Sequence, residues 1–204
     1  MRAFAYVIGV DEVGRGSIAG PLCVGAFLVR QKSAKRASVT LAGIKDSKQL
    51  SPRQREVWFR VLSDASREGV CGWSKAFVSE KVIDAKGLSF ALKKAIAGAL
   101  KKLEVRPEEC LVLLDGGIKA PGAFRNQRTI IKGDEKEPLI AGASIMAKVC
   151  RDRYMTRLGR RYPLFGFERH KGYGTRAHYT ALRKYGVSKV HRRSFLKKFL
   201  ISNT

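Results

Sequence analysis

The chain is short of acid. Its 204 residues carry only 17 Asp and Glu against 41 Lys and Arg, a formal net charge of +24. A field of that sign repels cationic ligands and gathers polyanions, so nucleic acid is the first partner to consider. The shortage is uneven, because from Arg151 onward fifteen Lys and Arg face only Asp152 and Glu168. Cysteine is scarce as well: Cys23, Cys71, Cys110 and Cys150 lie far apart, with no CxxC pair. That weighs against a disulfide scaffold and reads as buried thiols in a reducing cytoplasm. The three histidines, His170, His178 and His191, match no common zinc spacing. No apolar run nears the ~18 residues of a membrane span. The opening MRAFAYVIGVDE has neither a long apolar h-region nor a small-residue cleavage site. The expectation is a cytoplasmic protein that meets no membrane.

What is present suffices for one domain with a core, since hydrophobic residues reach 45% and aromatics 9%. Residues 4–12 and 22–30 read as two antiparallel strands joined by a glycine-rich turn, and residues 31–40 as a polar loop. Ser51 as N-cap and Pro52 behind it open a helix that Gly69 closes, with Val57, Val61, Leu62 and Ala65 as its apolar stripe. A third strand is expected over 70–79. A helix over 87–105 would place Leu88, Leu92, Ala95, Ile96, Ala99 and Leu103 on one face. CLVLL at 110–114 is the unbroken apolar run of a buried central strand, and RTIIK at 128–132 a shorter strand. A helix follows Pro138, residues 159–174 read as irregular, and two short basic helices end the chain. This order predicts an α/β class with a mixed central sheet flanked by helices. Residues 1–204 would form a single domain, with a basic helical appendage from about residue 155.

Three of the expected strands finish alike, with an apolar run, an acid and glycine close by: Asp11 with Glu12, Asp115, and Asp134. Carboxylates are costly inside a fold, and strand ends of open α/β sheets are where sites are built. If those strands are neighbours, four carboxylates converge and raise one another's pKa unless cations neutralise them. Two Mg²⁺ or Mn²⁺ ions about 3.5–4 Å apart would do so, activating water and stabilising the leaving oxygen of an in-line attack at phosphorus. Gly14, Arg15 and Gly16 add backbone amides and a guanidinium for a phosphate. One demand is geometric. Successive side chains of a strand leave opposite faces, so Asp11 and Glu12 share a site only if the strand ends or twists between them. Outside this set, Asp152 between Arg151 and Arg153 reads as helix-surface pairing, and Glu135 and Glu137 as a solvated turn. Arg192 and Arg193, with Lys197 and Lys198, read as a solvated face or a duplex contact.

The fragments DEVGRG, LLDGG, IIKGD, ASIMAKVCRD, FERHKGYGT and HRRSF, in this order between Val7 and Phe195, resemble ribonuclease HII of the bacterial type. The resemblance implies a ribonuclease H-like fold and metal-dependent endonucleolytic cleavage of the RNA strand of RNA–DNA hybrids. It also implies incision 5′ to single ribonucleotides in duplex DNA, leaving 3′-hydroxyl and 5′-phosphate ends, as in ribonucleotide excision repair and primer removal. On the same ground Asp11, Glu12, Asp115 and Asp134 are expected to be catalytic ligands of Mg²⁺ or Mn²⁺. Gly14, Arg15 and Gly16 would contact the RNA–DNA junction, and Tyr173 would pack there and sense the ribose 2′-hydroxyl. Lys45, Ser47 and Lys48 would belong to a phosphate-contacting loop, with Lys45 where Asn is often seen, and Lys148 would stand near the site. Gly142 replaces a common alanine, which leaves these roles intact.

The related ribonuclease HIII typically carries an extra N-terminal domain, for which a motif starting at Asp11 leaves no room, so a monomeric ribonuclease HII is expected. A basic binding protein without catalysis would explain the charge but not four acids at strand ends. The closing ISNT offers no clear docking peptide for a replication clamp. The chemistry agrees with a junction reader. A 2′-hydroxyl is the handle that separates RNA from DNA at one nucleotide, and a site built to bond it rejects the analogue lacking it. A basic tail adds salt-dependent duplex affinity.

Overall fold

The two opening strands form as expected: β1 (Tyr6–Val13) and β2 (Leu22–Arg30) run antiparallel, from Tyr6 opposite Arg30 to Val13 opposite Cys23. The computed structural model describes residues 4–201. Residues 1–3 and 202–204, which hold the chain start and most of ISNT, lie outside the described residues. After β2, a 3-10 turn and α1 (Ala34–Thr40) occupy the stretch expected to be a loop. Buried Ala37 anchors α1 in the core, a small contact that a polar, basic pattern hides.

The helix start at Ser51 is a full capping box. Ser51 Oγ accepts the Gln54 N–H at 3.2 Å, and the Gln54 side chain accepts the Ser51 N–H at 2.8 Å. The helix so opened, α2 (Pro52–Arg67), buries Leu62 and Ala65 of the expected stripe but not its valines. Val57 and Val61 are 54% and 39% exposed, while Trp58, Phe59, Leu62 and Ala65 pack inward. Trp58 and Phe59 take the inward places expected of Val57 and Val61, because large rings remove more apolar area from water than two valines. Next come β3 (Cys71–Val78), α3 (Glu80–Lys86) and α4 (Leu88–Lys101), where one helix had been expected after residue 87. Gly87, at φ 81°, separates the two.

The rest of the chain comprises β4 (Cys110–Asp115), β5 (Gln127–Ile130), the single turn α5 (Gly133–Lys136) and the long α6 (Pro138–Arg161). Then α7 (Phe167–His170), α8 (Arg176–Tyr185) and α9 (Lys197–Ile201) follow, joined by short 3-10 turns. Thus α6 reaches into, and α7 interrupts, the stretch 159–174 expected to be irregular. The sheet order is β3-β2-β1-β4-β5, with β1, β4 and β5 mutually parallel and β2 and β3 antiparallel to their neighbours. It is the mixed sheet flanked by helices that the strand order implied.

Each face of the sheet has its own core. Ile8, Val10, Val24 and Val112 pack against Ala91, Ala95 and Ile96 of α4 on one side. Phe27, Val29 and Cys71 pack with α2 and with Ala143 and Met146 of α6 on the other. On that second side a Cβ at Gly9 would collide with the Leu139 carbonyl, and one at Gly25 with the Ala143 carbonyl. Two glycines therefore let α6 lie directly on β1 and β2, which is what brings its side chains to the end of β1. A third cluster joins Met155, Leu158, Phe165, Phe167, Leu182 and Leu196 of the C-terminal region to Ile18 and Ala19 of the turn after β1.

Candidate active site

Because β1, β4 and β5 are parallel, their C-terminal ends meet at one edge. There β1 outruns its neighbour: pairing with β4 stops at Val10 opposite Leu114, while pairing with β2 continues to Val13. The strand does not end between Asp11 and Glu12, contrary to the condition expected for a shared site. Asp11 follows Gly9 onto the α6 side, where Ser144 hydrogen-bonds its carboxylate, and Glu12 follows Val10 onto the other. Asp115 reaches both electrostatically from the adjacent strand end, beside the overhang. Burial, with added repulsion from Glu12 and Asp115, pushes the Asp11 carboxyl up to about 8 against the Ser144 hydrogen bond. Glu12 is raised too, by burial first and then Asp115, with Arg15 at 3.5 Å opposing. The overhang lets Asp115 act on both acids although they leave opposite faces of β1.

Asp134 does not sit at a strand end. β5 stops at Ile130, Lys132 reverses the chain at φ 56°, and Asp134 stands in α5. The parallel ladder runs out at Asp115 opposite Ile130, and the Gly133 N–H then donates to Asp115 Oδ1 at 2.7 Å. That bond stitches the Asp134 turn to the end of β4. Asp134 is buried, and Lys48 Nζ donates to its Oδ2 at 2.7 Å, which raises the Lys48 pKa. The loop carrying Lys48 is built from beneath. Asp46 Oδ1 accepts the Lys48 N–H at 3.0 Å, and Ser47 Oγ lies 2.8 Å from Ser144 Oγ, itself bonded to Asp11. Arg55 of α2 donates to the Ser47 and Leu50 carbonyls at 2.8 and 2.5 Å. Lys45 points to solvent.

The donor set fits a hard divalent cation in kind, since every acid here offers carboxylate oxygens and no soft ligand intrudes. Among the described residues, however, no three Asp, Glu, His or Cys side chains form a closed cage for one ion. The Lys48 ammonium is the nearest cation to Asp134, and burial first, then the neighbouring acids, favours the protonated form of Asp11.

The GRG turn is shaped by two buried arginines, neither marked by the sequence as part of it. Gly14 has φ 85°, and a Cβ there would collide with the Arg151 guanidinium. Arg151, fully buried, donates to Pro21 O at 2.9 Å, Lys171 O at 3.0 Å and Ser17 Oγ at 2.8 Å. Arg192, equally buried, donates to Gly20 O at 3.0 Å and Arg15 O at 2.9 Å, and its Nη2 finds no hydrogen-bond partner among the described residues. Reading Arg192 as a solvated face is thus corrected; only Arg193 of that pair is exposed. Burial lowers the Arg192 pKa to about 10, with Arg151 adding repulsion, and lowers Arg151 as well. Arg15 itself is exposed, and Gly16 lies in open space.

Tyr173 reaches the same place through its neighbour. The Gly172 carbonyl accepts the Ile18 and Ala19 N–H groups at 2.9 and 3.1 Å, which fastens the tyrosine loop to the GRG turn. Arg151 lies 5.5 Å and Lys148 6.0 Å from the Tyr173 ring centre, both projecting from α6. Lys148 is steadied by Asp152 at 3.0 Å, the helix-surface pairing expected of that acid. Sequence reading missed Asp46, Arg55, Ser144, Arg151 and Arg192 as parts of this neighbourhood. The available signal was position, since Ser144, Lys148 and Arg151 recur at helical spacing on α6.

The chain matches the family described as Ribonuclease HII over residues 8–198. Ribonuclease HII of Caldicellulosiruptor bescii is 42% identical over 199 residues, 98% of this chain and 90% of that protein. Among solved structures, ribonuclease H2 of Pyrococcus horikoshii OT3 is 28% identical at a TM-score of 0.75, covering 97% of this chain and 98% of that one. The ribonuclease HII of the PCNA:RNase HII complex from Archaeoglobus fulgidus is 25% identical at a TM-score of 0.72, covering 94% of both chains.

Proposed function

The chain belongs to the ribonuclease HII family, type 2 ribonucleases H that hydrolyse phosphodiester bonds in RNA–DNA hybrids, and from that premise we propose that it also incises duplex DNA 5′ to a single embedded ribonucleotide. The observation that carries this reading is the bond of Gly172 O to Ile18 and Ala19, which holds Tyr173 and the GRG turn as one unit beside the buried acids. A nuclease for long hybrids needs only a backbone groove and a hydrolytic centre. A cut at one ribonucleotide needs a rigid reader of one ribose next to that centre.

In this reading Asp11, Glu12, Asp115 and Asp134 would hold Mg²⁺ or Mn²⁺, which would supply an activated water and stabilisation of the leaving oxygen, for 3′-hydroxyl and 5′-phosphate ends. Ser144 orients the Asp11 carboxylate, and Gly133 orients that of Asp115 through its N–H. Gly14, Arg15 and Gly16 present backbone and guanidinium to the junction phosphates. Tyr173 packs on the sugar carrying the 2′-hydroxyl. Lys45 and Lys48 approach the backbone from the opposite loop, where Ser47 braces them through Ser144. Lys148 adds positive charge beside the tyrosine, and the basic C-terminal region supplies duplex affinity that falls with salt. The enzyme acts as a cytoplasmic monomer in ribonucleotide excision repair and primer removal.

The test is incubation with duplex DNA bearing one ribonucleotide, with Mg²⁺ or Mn²⁺ and with or without chelator. Incision 5′ to the ribonucleotide that chelator abolishes is the expected result. Cleavage of hybrid RNA without incision at the single ribonucleotide would overturn the reading.

A further inference from the structure

Behind Tyr173 lies a chain of buried imidazoles that the chemistry above does not use. His178 Nδ1 lies 2.9 Å from the Tyr173 carbonyl oxygen, His178 Nε2 lies 3.0 Å from His191 Nε2, and His191 Nδ1 lies 3.0 Å from Ser188 N and 2.8 Å from Ser188 Oγ. Only one proton arrangement satisfies all of these. A carbonyl oxygen can only accept, so His178 carries its proton on Nδ1 and presents a lone pair at Nε2. His191 must then donate from Nε2, which leaves its Nδ1 to accept from Ser188. Each ring carries one proton, and no donor is left over. The third imidazole fits the same scheme: His170 Nε2 donates to Phe165 O at 2.7 Å, and His170 Nδ1 accepts the Gly172 N–H at 3.3 Å.

Both backbone polar groups of Tyr173 are held. Its N–H donates to the His170 backbone carbonyl at 3.0 Å, and its carbonyl accepts from the Thr175 N–H at 2.9 Å and from the His178 ring at 2.9 Å. The far end of the chain is anchored to the turn after β1, where His191 pairs with Ala19 and the Gly20 N–H donates to Val190 O at 2.8 Å. Phe165 and Phe167 seal the rings from water, with centres 4.8 Å from His191 and 5.5 Å from His178. Burial favours the neutral form of both rings, as the scheme requires. A requirement for packing alone would be met by further phenylalanines such as these two. Aligned single-proton bonds that finish on the Tyr173 carbonyl serve a positional need.

We propose that His178 and His191 are positioning residues for cleavage at a single ribonucleotide: a neutral imidazole relay, anchored at the GRG turn, that fixes the backbone of Tyr173. This rests on the junction-reading role given to Tyr173 above. A long hybrid presents a 2′-hydroxyl at every nucleotide and tolerates a loosened reader, whereas a lone ribonucleotide does not. The relay thus sets substrate preference more than general turnover.

The experiment compares kcat/KM for duplex DNA with one ribonucleotide against a continuous RNA–DNA hybrid in the wild type, His191→Phe, His191→Gln, Tyr173→Ala and the His191→Phe/Tyr173→Ala double variant. His191→Phe is expected to lose about 10-fold more on the single ribonucleotide than on the hybrid. His191→Gln, whose amide can donate to His178 Nε2, is expected to restore most of that difference. The double variant should be no worse than Tyr173→Ala alone, because the relay acts through the tyrosine. Equal losses on both substrates, or additive losses in the double variant, overturn the relay. An unchanged preference in Tyr173→Ala instead overturns the role of the tyrosine itself. Should His191→Phe not fold, ¹⁵N spectra of the wild-type imidazoles decide: protonation at His178 Nδ1 and His191 Nε2 supports the relay, and the opposite tautomer of either ring overturns it.

Discussion

At the end of β1 the protein buries a carboxylate, Asp11, within reach of two others. Three residues later, around Gly14, it buries guanidiniums among carbonyls. The two regions solve the problem of buried charge differently. Asp11 is pushed up to about 8, so at neutral pH it can shed its charge by keeping a proton. Arg151 and Arg192 cannot, because a guanidinium holds its proton, and they spread their charge over backbone oxygens instead. An acid end that becomes neutral can be recharged when a cation arrives. An arginine core stays positive throughout and keeps the turn beside it attractive to phosphate. The contrast separates a centre that responds to its ligand from a frame that does not.

The largest expected effect tests the responsive side. Asp11→Asn should lower cleavage by roughly three orders of magnitude or more while leaving duplex affinity nearly unchanged, read by single-turnover incision and by binding. Its effect on stability runs the other way. The folded carboxyl holds a proton that the unfolded chain releases above pH 3.8, so cation-free stability is lost as pH rises from about 4 towards about 8. Asp11→Asn removes that loss, and its melting temperature at pH 8 in chelator should exceed that of the wild type. A lower melting temperature would erase the contrast drawn above.

Arg151→Ala tests the frame. It strands the Pro21 and Lys171 carbonyls in the interior and should cost about 3–5 kcal/mol in denaturant unfolding. A loss below about 1 kcal/mol would mean that the carbonyls find other partners. Gly14→Ala probes the same contact from the turn side. Its Cβ would meet the Arg151 guanidinium at a positive φ, so a loss of about 1–3 kcal/mol is expected, together with slower incision.

The smallest effect is one of pH alone. Burial lowers His178 and His191 to about 4 from 6.5, so the unfolded chain takes up protons that the folded rings refuse. Stability should therefore fall as pH drops from 6.5 towards 4, the reverse of the Asp11 slope, and replacing both histidines should flatten that limb. Urea midpoints across this range measure it.

Much of this was legible along the chain because it is local. The Ser51 cap, the apolar run ending at Asp115 and the glycine turn after Glu12 each announce themselves within a few residues. Of the α2 stripe Leu62 and Ala65 were legible and the rest was not, because the choice between Val57/Val61 and Trp58/Phe59 depends on what lies opposite. Nor was the place of Asp134, since a turn after β5 forms only when the Gly133 N–H finds Asp115. Arg192 looked like surface because arginine usually is, and its burial depends on carbonyls 172 and 177 residues away in sequence.

By itself the sequence determined the carboxylates, the glycines between them and the basic field, and its apolar runs placed Asp11, Glu12 and Asp115 at or near strand ends, but not Asp134. Only the tertiary structure decided how they meet. The overhang of β1 beyond β4 lets Asp115 act on both Asp11 and Glu12, α6 delivers Ser144, Lys148 and Arg151, and the C-terminal region locks Tyr173 to the turn. The physical reason is that a residue's type sets which bonds it can make. Whether a buried charge finds an acid, a carbonyl or a neutral imidazole depends on which distant backbone packs against it.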